Sequence, residues 1–163
     1  MSCLSRESPF IYEDFVPGEK FFDRREELDY FYRSVSVKRK ILLCIVAPLK
    51  YGKTSLMMRY YEILKDFEDV IPIYINLKKK KQPIKFIVDT LKKFDVDVGD
   101  VYSSCKEEED LEPLFDVINK KLTERSKWLF LLFDEFHLLP SRVRSEGFYE
   151  GFGEKDVFGF FRS

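Results

Sequence analysis

Apolar residues follow two different rhythms along this chain. Residues 41–47 (ILLCIVA), 71–77 (IPIYINL) and 128–133 (WLFLLF) are almost unbroken apolar runs, too short for helices. Their β-branched and aliphatic content predicts strands buried on both faces, as in a parallel sheet. Between these runs the spacing becomes helical. After Asp23, apolar side chains recur at Leu28, Phe31, Tyr32 and Val35, with Glu26 three positions beyond Asp23. An N-cap residue followed by Glu at that interval is a helix-start signature. Further helices are predicted over 55–67 (SLMMRYYEILKDF), 83–94 (PIKFIVDTLKKF, with Pro83 in its first turn) and 111–125 (LEPLFDVINKKLTER). The order strand, helix, strand, helix, helix, strand predicts an α/β fold with a mostly parallel sheet. Such sheets bind ligands beyond the carboxyl ends of their strands.

The residues at those ends are the informative ones. The first apolar run passes into Ala47, Pro48, Leu49, Lys50, Tyr51, Gly52, Lys53, Thr54 and Ser55, and a helical pattern follows. This is strand, GxxxxGK[ST], helix, with Ala47 in place of the first glycine. Backbone N–H groups of such a loop and of the new helix point at a phosphate, where the helix dipole also favours negative charge. Gly52 permits close approach, Lys53 supplies a cation for the β- and γ-phosphates, and Thr54 offers a hydroxyl to Mg²⁺. A bare GKTS is a common helix start; the buried strand before it and the helix after it are what turn it into a phosphate-loop reading. An alanine forced to positive φ would cost about 1–2 kcal/mol, and an alanine at ordinary φ costs little.

The third run ends in two adjacent carboxylates, Asp134 and Glu135. At the rim of a sheet they would divide the work. Asp134 would join Thr54 in the Mg²⁺ shell, and Glu135 would take a proton from an attacking water. The catalytic candidates are therefore Glu135 and Lys53.

Composition adds exclusions. At 163 residues the chain fits one domain of about 150. Its 28 basic and 29 acidic side chains nearly cancel, and a pI near 6.0 argues against a surface built throughout for nucleic acid. No apolar run approaches the roughly 18 residues of a membrane span, and the charged N-terminus lacks a signal-peptide core. Cys3, Cys44 and Cys105 are far apart with no CxxC pair. That excludes a disulfide framework or zinc site and predicts a cytoplasmic, reducing setting without membrane contact.

These motifs resemble a family. An apolar strand ending in DE is similar to P-loop ATPases of the additional-strand, catalytic-glutamate class, with their Walker A and Walker B motifs. Phe21-Phe22-Asp23-Arg24-Arg25-Glu26-Glu27-Leu28 resembles the F-[VF]-[GD]-R-E-x-E-L box of archaeal ATPases related to the STAND and origin-recognition AAA+ proteins. APLKYGKTSL resembles their GPRRVGKTSL, and IPIYINL their second strand. The resemblance covers roughly residues 20 to 137 and implies a three-layer P-loop NTPase fold with a mostly parallel sheet. It also implies ATP and Mg²⁺ as cofactors, and γ-phosphate hydrolysis that drives a nucleotide-driven switch. In that family the FFDRREEL segment lies beside the adenine, so Phe21, Phe22 and Arg24 become base-contact candidates.

By the same resemblance, residues 1–163 form a single ATPase core. Its parts are an adenine-side segment (20–35), the stretch from phosphate loop to acidic strand end (41–137), and an incomplete C-terminal part (138–163). A strand ending in a γ-phosphate sensor should follow the DE strand and lie between it and the phosphate-loop strand. Here EKDVFGFFRS looks instead like the helix before that strand, which makes the core truncated before its sensor strand, arginine finger and lid. A protein or DNA partner engaged through a further C-terminal region, and oligomerisation, stay open. Two alternatives stand beside the ATPase: a small-molecule kinase on the same loop, and a nucleotide-binding module with little hydrolysis.

Weaker features have plainer readings. His137 completes a DExH string, yet a lone domain cannot form a helicase core, and an ordinary polar contact suits it better. Lys78, Lys79, Lys80 and Lys81 read as a solvated loop on the ligand side. Asn76, closing the second strand, is a candidate for sensing water or γ-phosphate.

Overall fold

The computed structural model describes residues 24–38, 42–48, 50–106 and 110–145. The chain divides after Ile63 into two compact units.

The first unit is built on two helices, α1 (Arg25–Lys38) and α2 (Lys53–Lys65). Phe31 and Val35 form the buried stripe of α1, as the spacing predicted, while Tyr32 of the same pattern is exposed. The Phe31 ring stacks on Tyr60 of α2, with centroids 3.9 Å apart and planes 13° from parallel. The Tyr60 hydroxyl donates to the Glu27 carbonyl at 3.4 Å. Burial, then the Glu27 charge, pushes the Tyr60 phenol up, with Arg24 opposing. Stacking and hydrogen bond fix the first turn of α1 against the middle of α2. Asp23, the predicted N-cap, lies outside the described residues.

The described part of the 41–47 run, residues 42–47, does not form a strand. It has no strand pairing, and Leu42 (64% exposed) and Val46 (87%) are open to solvent. A strand exists only where a neighbour takes its N–H and C=O groups, and the described residues supply none here. The apolar pattern records burial that needs a partner, and pattern alone cannot supply the partner.

The second unit holds a two-stranded parallel sheet of β1 (Val70–Asn76) and β2 (Trp128–Asp134), paired from Val70↔Trp128 to Asn76↔Asp134. Between them run α3 (Pro83–Lys92), α4 (Gly99–Ser104) and α5 (Leu111–Glu124). A 3₁₀ turn (Phe136–Leu138) and α6 (Leu139–Ser145) follow β2. One face of the sheet is the core. Ile71, Ile73, Ile75 and Leu77 pack with Ile87 and Leu91 of α3, Leu114 and Ile118 of α5, and Val143 of α6. Side chains alternate across a strand, so Tyr74 and Asn76 stand on the opposite face.

Helices α3 and α5 fall where the spacing placed them, with Pro83 at the start of α3. Helix α4 has no buried residue, so it leaves no apolar stripe to detect. Strand β2 departs from expectation in another way. Predicted as buried on both faces, it buries only Leu132 and Asp134, and Trp128 is exposed. Among the described residues β1 is its one strand neighbour. The class of the fold is thus α/β with parallel pairing, and among the described residues the sheet has two strands where three were predicted. The 146–163 tail, including the predicted helix in EKDVFGFFRS, lies outside the described residues. No described helix is long and apolar enough to cross a membrane.

Ile75 is fully buried at the centre of the core face. Ile75→Ala should destabilise the second unit by about 2–5 kcal/mol in a urea titration followed by Trp128 fluorescence. A loss below about 1 kcal/mol would contradict this placement of the core.

Candidate nucleotide site

The chemistry-bearing residues fall into two groups, one in each unit. In the first unit, the loop entering α2 has left-handed backbone at Lys50 (φ 66°) and at Gly52 (φ 71°). Left-handed residues set among ordinary ones turn successive N–H groups into an anion-binding concavity. A Cβ on Gly52 would meet nothing within 4 Å, so glycine is required there for its φ and not for space. Any other residue at that φ costs about 1–2 kcal/mol. Ala47 is not among the residues with positive φ, and its departure from the glycine pattern therefore carries little backbone strain. The Leu56 N–H donates to the Gly52 carbonyl at 3.0 Å and closes the first helical turn directly after the loop. Helix α2 has no acidic residue in that turn, so no side chain of the turn competes with an anion for its dipole.

Lys53 curls back over the loop. Its Nζ donates to the carbonyls of Ala47 at 2.6 Å and Pro48 at 2.7 Å. The ammonium is thus held at the mouth of the loop by two neutral acceptors, which a phosphate oxygen would outbid because charge-assisted bonds are stronger. Arg24 reaches the same loop from the start of α1, with Nη2 donating to the Tyr51 carbonyl at 2.6 Å. Sequence reasoning made Arg24 a base-contact candidate; the structure places its guanidinium on the loop backbone. Thr54 and Ser55 lie in the first turn of α2, Thr54 half-buried and Ser55 buried. Of the remaining candidates, Pro48, Lys50 and Tyr51 are exposed on the loop. Phe21, Phe22 and Leu49 lie outside the described residues.

In the second unit, Asp134 ends β2 with only 8% of its surface exposed. A buried carboxylate needs hydrogen-bond donors, and Asp134 is supplied with them. Its Oδ2 accepts from the Tyr74 hydroxyl at 2.9 Å and from Asn76 Nδ2 at 3.2 Å, and its Oδ1 accepts from the Glu135 N–H at 3.0 Å. The Asn76 side chain has a second task. Its Oδ1 takes the N–H groups of Lys78 (3.1 Å) and Lys79 (3.2 Å), folding the lysine run into an exposed turn in which the Lys80 ammonium lies 4.4 Å over the Phe86 ring. Burial, then the bond to Asp134, raises the Tyr74 phenol far above its ordinary value, with Asn76 opposing, so the hydroxyl keeps its proton. Sequence reasoning missed Tyr74. The signal was available: two residues before Asn76 on a strand is the same face of the sheet.

Glu135 stands where the chain leaves the sheet, with left-handed backbone at φ 59° and ψ 44°. Its carbonyl accepts the Leu138 N–H at 2.9 Å, which closes the 3₁₀ turn. Non-glycine residues adopt this conformation only where surroundings enforce it, and such residues cluster at functional sites. Its carboxylate is half-exposed, 3.6 Å from Nδ1 of His137. This is the plain polar contact expected of that histidine. Arg142 of α6 donates from Nε to the Leu77 carbonyl at 2.9 Å and ties the end of β1 to the helix after the acidic pair.

The Thr54 hydroxyl in the first unit and the Asp134 carboxylate in the second are each hard oxygen donors, the kind of which Mg²⁺ characteristically takes one or two from protein and the rest from phosphate and water. No group of three or more His, Cys, Asp or Glu side chains among the described residues is placed to cage a metal alone.

Known proteins give partial matches. An uncharacterised ATP-binding protein of Pyrococcus abyssi is 39% identical over 59 residues, 36% of this chain and 17% of that protein. Two uncharacterised ATP-binding proteins of Methanocaldococcus jannaschii are 31% identical over 64 residues and 30% over 66, or 39% and 40% of this chain. Each of those matches covers 18% of the relative, so the chain spans less than a fifth of the curated relatives it matches. No protein-family model matches. No solved structure matches. Over somewhat more than a third of its length, this chain is similar to archaeal proteins described as ATP-binding.

Proposed function

We propose that this chain is an ATP-binding core of the P-loop type, that it hydrolyses the γ-phosphate, and that it works as a nucleotide-driven switch of the archaeal STAND and AAA+ kind. The observation that carries the reading is the loop before α2. Lys53 Nζ is held on the carbonyls of Ala47 and Pro48, over a backbone turned left-handed at Gly52. The partial relatives, each described as ATP-binding, support the choice of nucleotide. Residues 1–163 are proposed as one such core.

In this reading the loop N–H groups and the first turn of α2 bind the phosphates, and Lys53 exchanges its carbonyl partners for phosphate oxygens. Arg24 holds the loop to α1, with Phe21 and Phe22 proposed beside the base. Thr54 and Asp134 are the oxygen donors assigned to Mg²⁺, which when bound offsets charge on the phosphates. Glu135 takes the proton of the attacking water. Its half-exposed carboxylate is open to such a water, and its fixed left-handed backbone limits where that carboxylate can go.

Three variants test these assignments. Lys53→Ala should abolish ATP binding in a calorimetric titration; unchanged affinity would remove the loop from the site. Glu135→Gln should retain binding and lose roughly 10²–10⁴-fold of the phosphate-release rate, the share of a general base. Asp134→Asn should instead change the Mg²⁺ requirement. Identical behaviour of the two acidic variants would contradict the separate metal and base roles.

A further inference from the structure

The proposed function leaves Tyr74 without a task, although its hydroxyl donates to the carboxylate assigned to Mg²⁺. We propose that Tyr74 is a positioning residue, whose hydroxyl, donated to Oδ2 of Asp134, fixes the carboxylate in the orientation that serves Mg²⁺ bound with ATP. The inference rests on the nucleotide reading and deepens it.

Packing does not account for this hydroxyl. The position lies on the face of β1 opposite the core, and a phenylalanine there would fill the same space. What the hydroxyl adds is one donor, 2.9 Å from Asp134 Oδ2. The sheet register makes that contact. Asn76 pairs with Asp134, and Tyr74, two residues earlier, pairs with Leu132. Tyr74 and Asp134 therefore share a face and lie one diagonal apart, within reach of an aromatic side chain.

These three donors to Asp134, from Tyr74, Asn76 and the Glu135 N–H, are not equivalent. The Glu135 N–H is backbone and fixes Oδ1. Asn76 is shared, since its other end closes the turn at Lys78 and Lys79, and its bond to Asp134 is the longest of the three at 3.2 Å. Tyr74 gives its one hydroxyl proton to Asp134 Oδ2, at 2.9 Å the shortest of the three. A carboxylate pinned at Oδ1 by backbone and at Oδ2 by a stiff aromatic arm cannot turn about its Cβ–Cγ bond. Outer partners of this kind orient ligands, and their loss typically lowers metal affinity or activity by about 10–100-fold.

The test measures ATP affinity of the full chain against Mg²⁺ concentration and again in EDTA, for wild type and Tyr74→Phe, each also in an Asp134→Asn background. The expected result is a Mg²⁺ requirement raised about 10–100-fold by Tyr74→Phe, with affinity in EDTA unchanged. In the Asp134→Asn background, Tyr74→Phe should add nothing, since neighbours in one network are not additive. A residue of merely structural role would shift the melting temperature in both backgrounds and leave the Mg²⁺ requirement alone. Should the phenylalanine variant not fold, the ¹³Cζ resonance of Tyr74 in the wild type replaces it. That resonance should move when Mg²⁺ is added to the ATP-bound chain and stay still when EDTA is added instead. A normal Mg²⁺ requirement in Tyr74→Phe, or a stationary resonance, overturns the positioning role and leaves the nucleotide reading intact. Failure of the wild type to bind ATP at all, or equal binding by Lys53→Ala, overturns the nucleotide reading and this inference with it.

Discussion

The pairing of Asn76 with Asp134 at the carboxyl end of the two-stranded sheet decides most of what the second unit can do. Side chains on a strand alternate, so slipping the register by one residue would send every side chain of β2 to the other face. Held as it is, the register places Ile71, Ile73 and Ile75 on the core and leaves Tyr74, Asn76 and Asp134 together on the far face. One constraint thus settles hydrophobic burial and the surroundings of the acidic residue at once. The core defends the register through Asp134 alone, because β2 is apolar on both faces up to that residue and a slip would carry its carboxylate to the core side. The hydrogen bonds of that carboxylate defend it as well, because a slip would strip Asp134 of its side-chain donors and leave a charge without partners.

A different contact organises the first unit. The Phe31–Tyr60 stack fastens α1 to α2, and Arg24 at the head of α1 then meets the loop at the head of α2. Two helices crossing at aromatic rings fix the geometry of a loop that has little burial of its own. The loop's conformation comes from its backbone: Gly52 accepts the left-handed turn without penalty, Lys50 adopts the same region at a cost, and Lys53 closes over the carbonyls. The FFDRREEL segment therefore contributes to the loop's shape through Arg24, in addition to whatever its aromatic residues contact.

Periodicity made the helices legible wherever a buried stripe existed. Ile84, Ile87, Val88 and Leu91 in α3, and Leu114, Ile118 and Leu122 in α5, recur because one face must meet the core. Helix α4 has no fully buried residue and only Val101 and Tyr102 partly packed on the core, too little for a stripe to show. Strands β1 and β2 were legible as apolar runs, while the 41–47 run reads identically and forms no strand among the described residues. The difference lies outside any single segment, in whether another strand is present to pair with it. The candidate residues were legible as chemistry: a loop lysine, a strand-end carboxylate, a glutamate beside it. Their supports were not. The Tyr74 bond to Asp134 spans 60 positions in sequence and depends on a register that no local pattern reports.

The central claim is that the loop entering α2 binds the phosphates of ATP through its backbone. Backbone amide resonances of an isotope-labelled chain, followed during titration with ATP and Mg²⁺, test it most directly. The account predicts that the amides of Lys50, Tyr51, Gly52, Lys53 and Thr54 shift together and saturate at one common concentration, while those of α4, far along the chain from any candidate residue, stay still. Loop amides unmoved at saturating ATP, or shifts confined to exposed lysines such as those at 78–81, would contradict it.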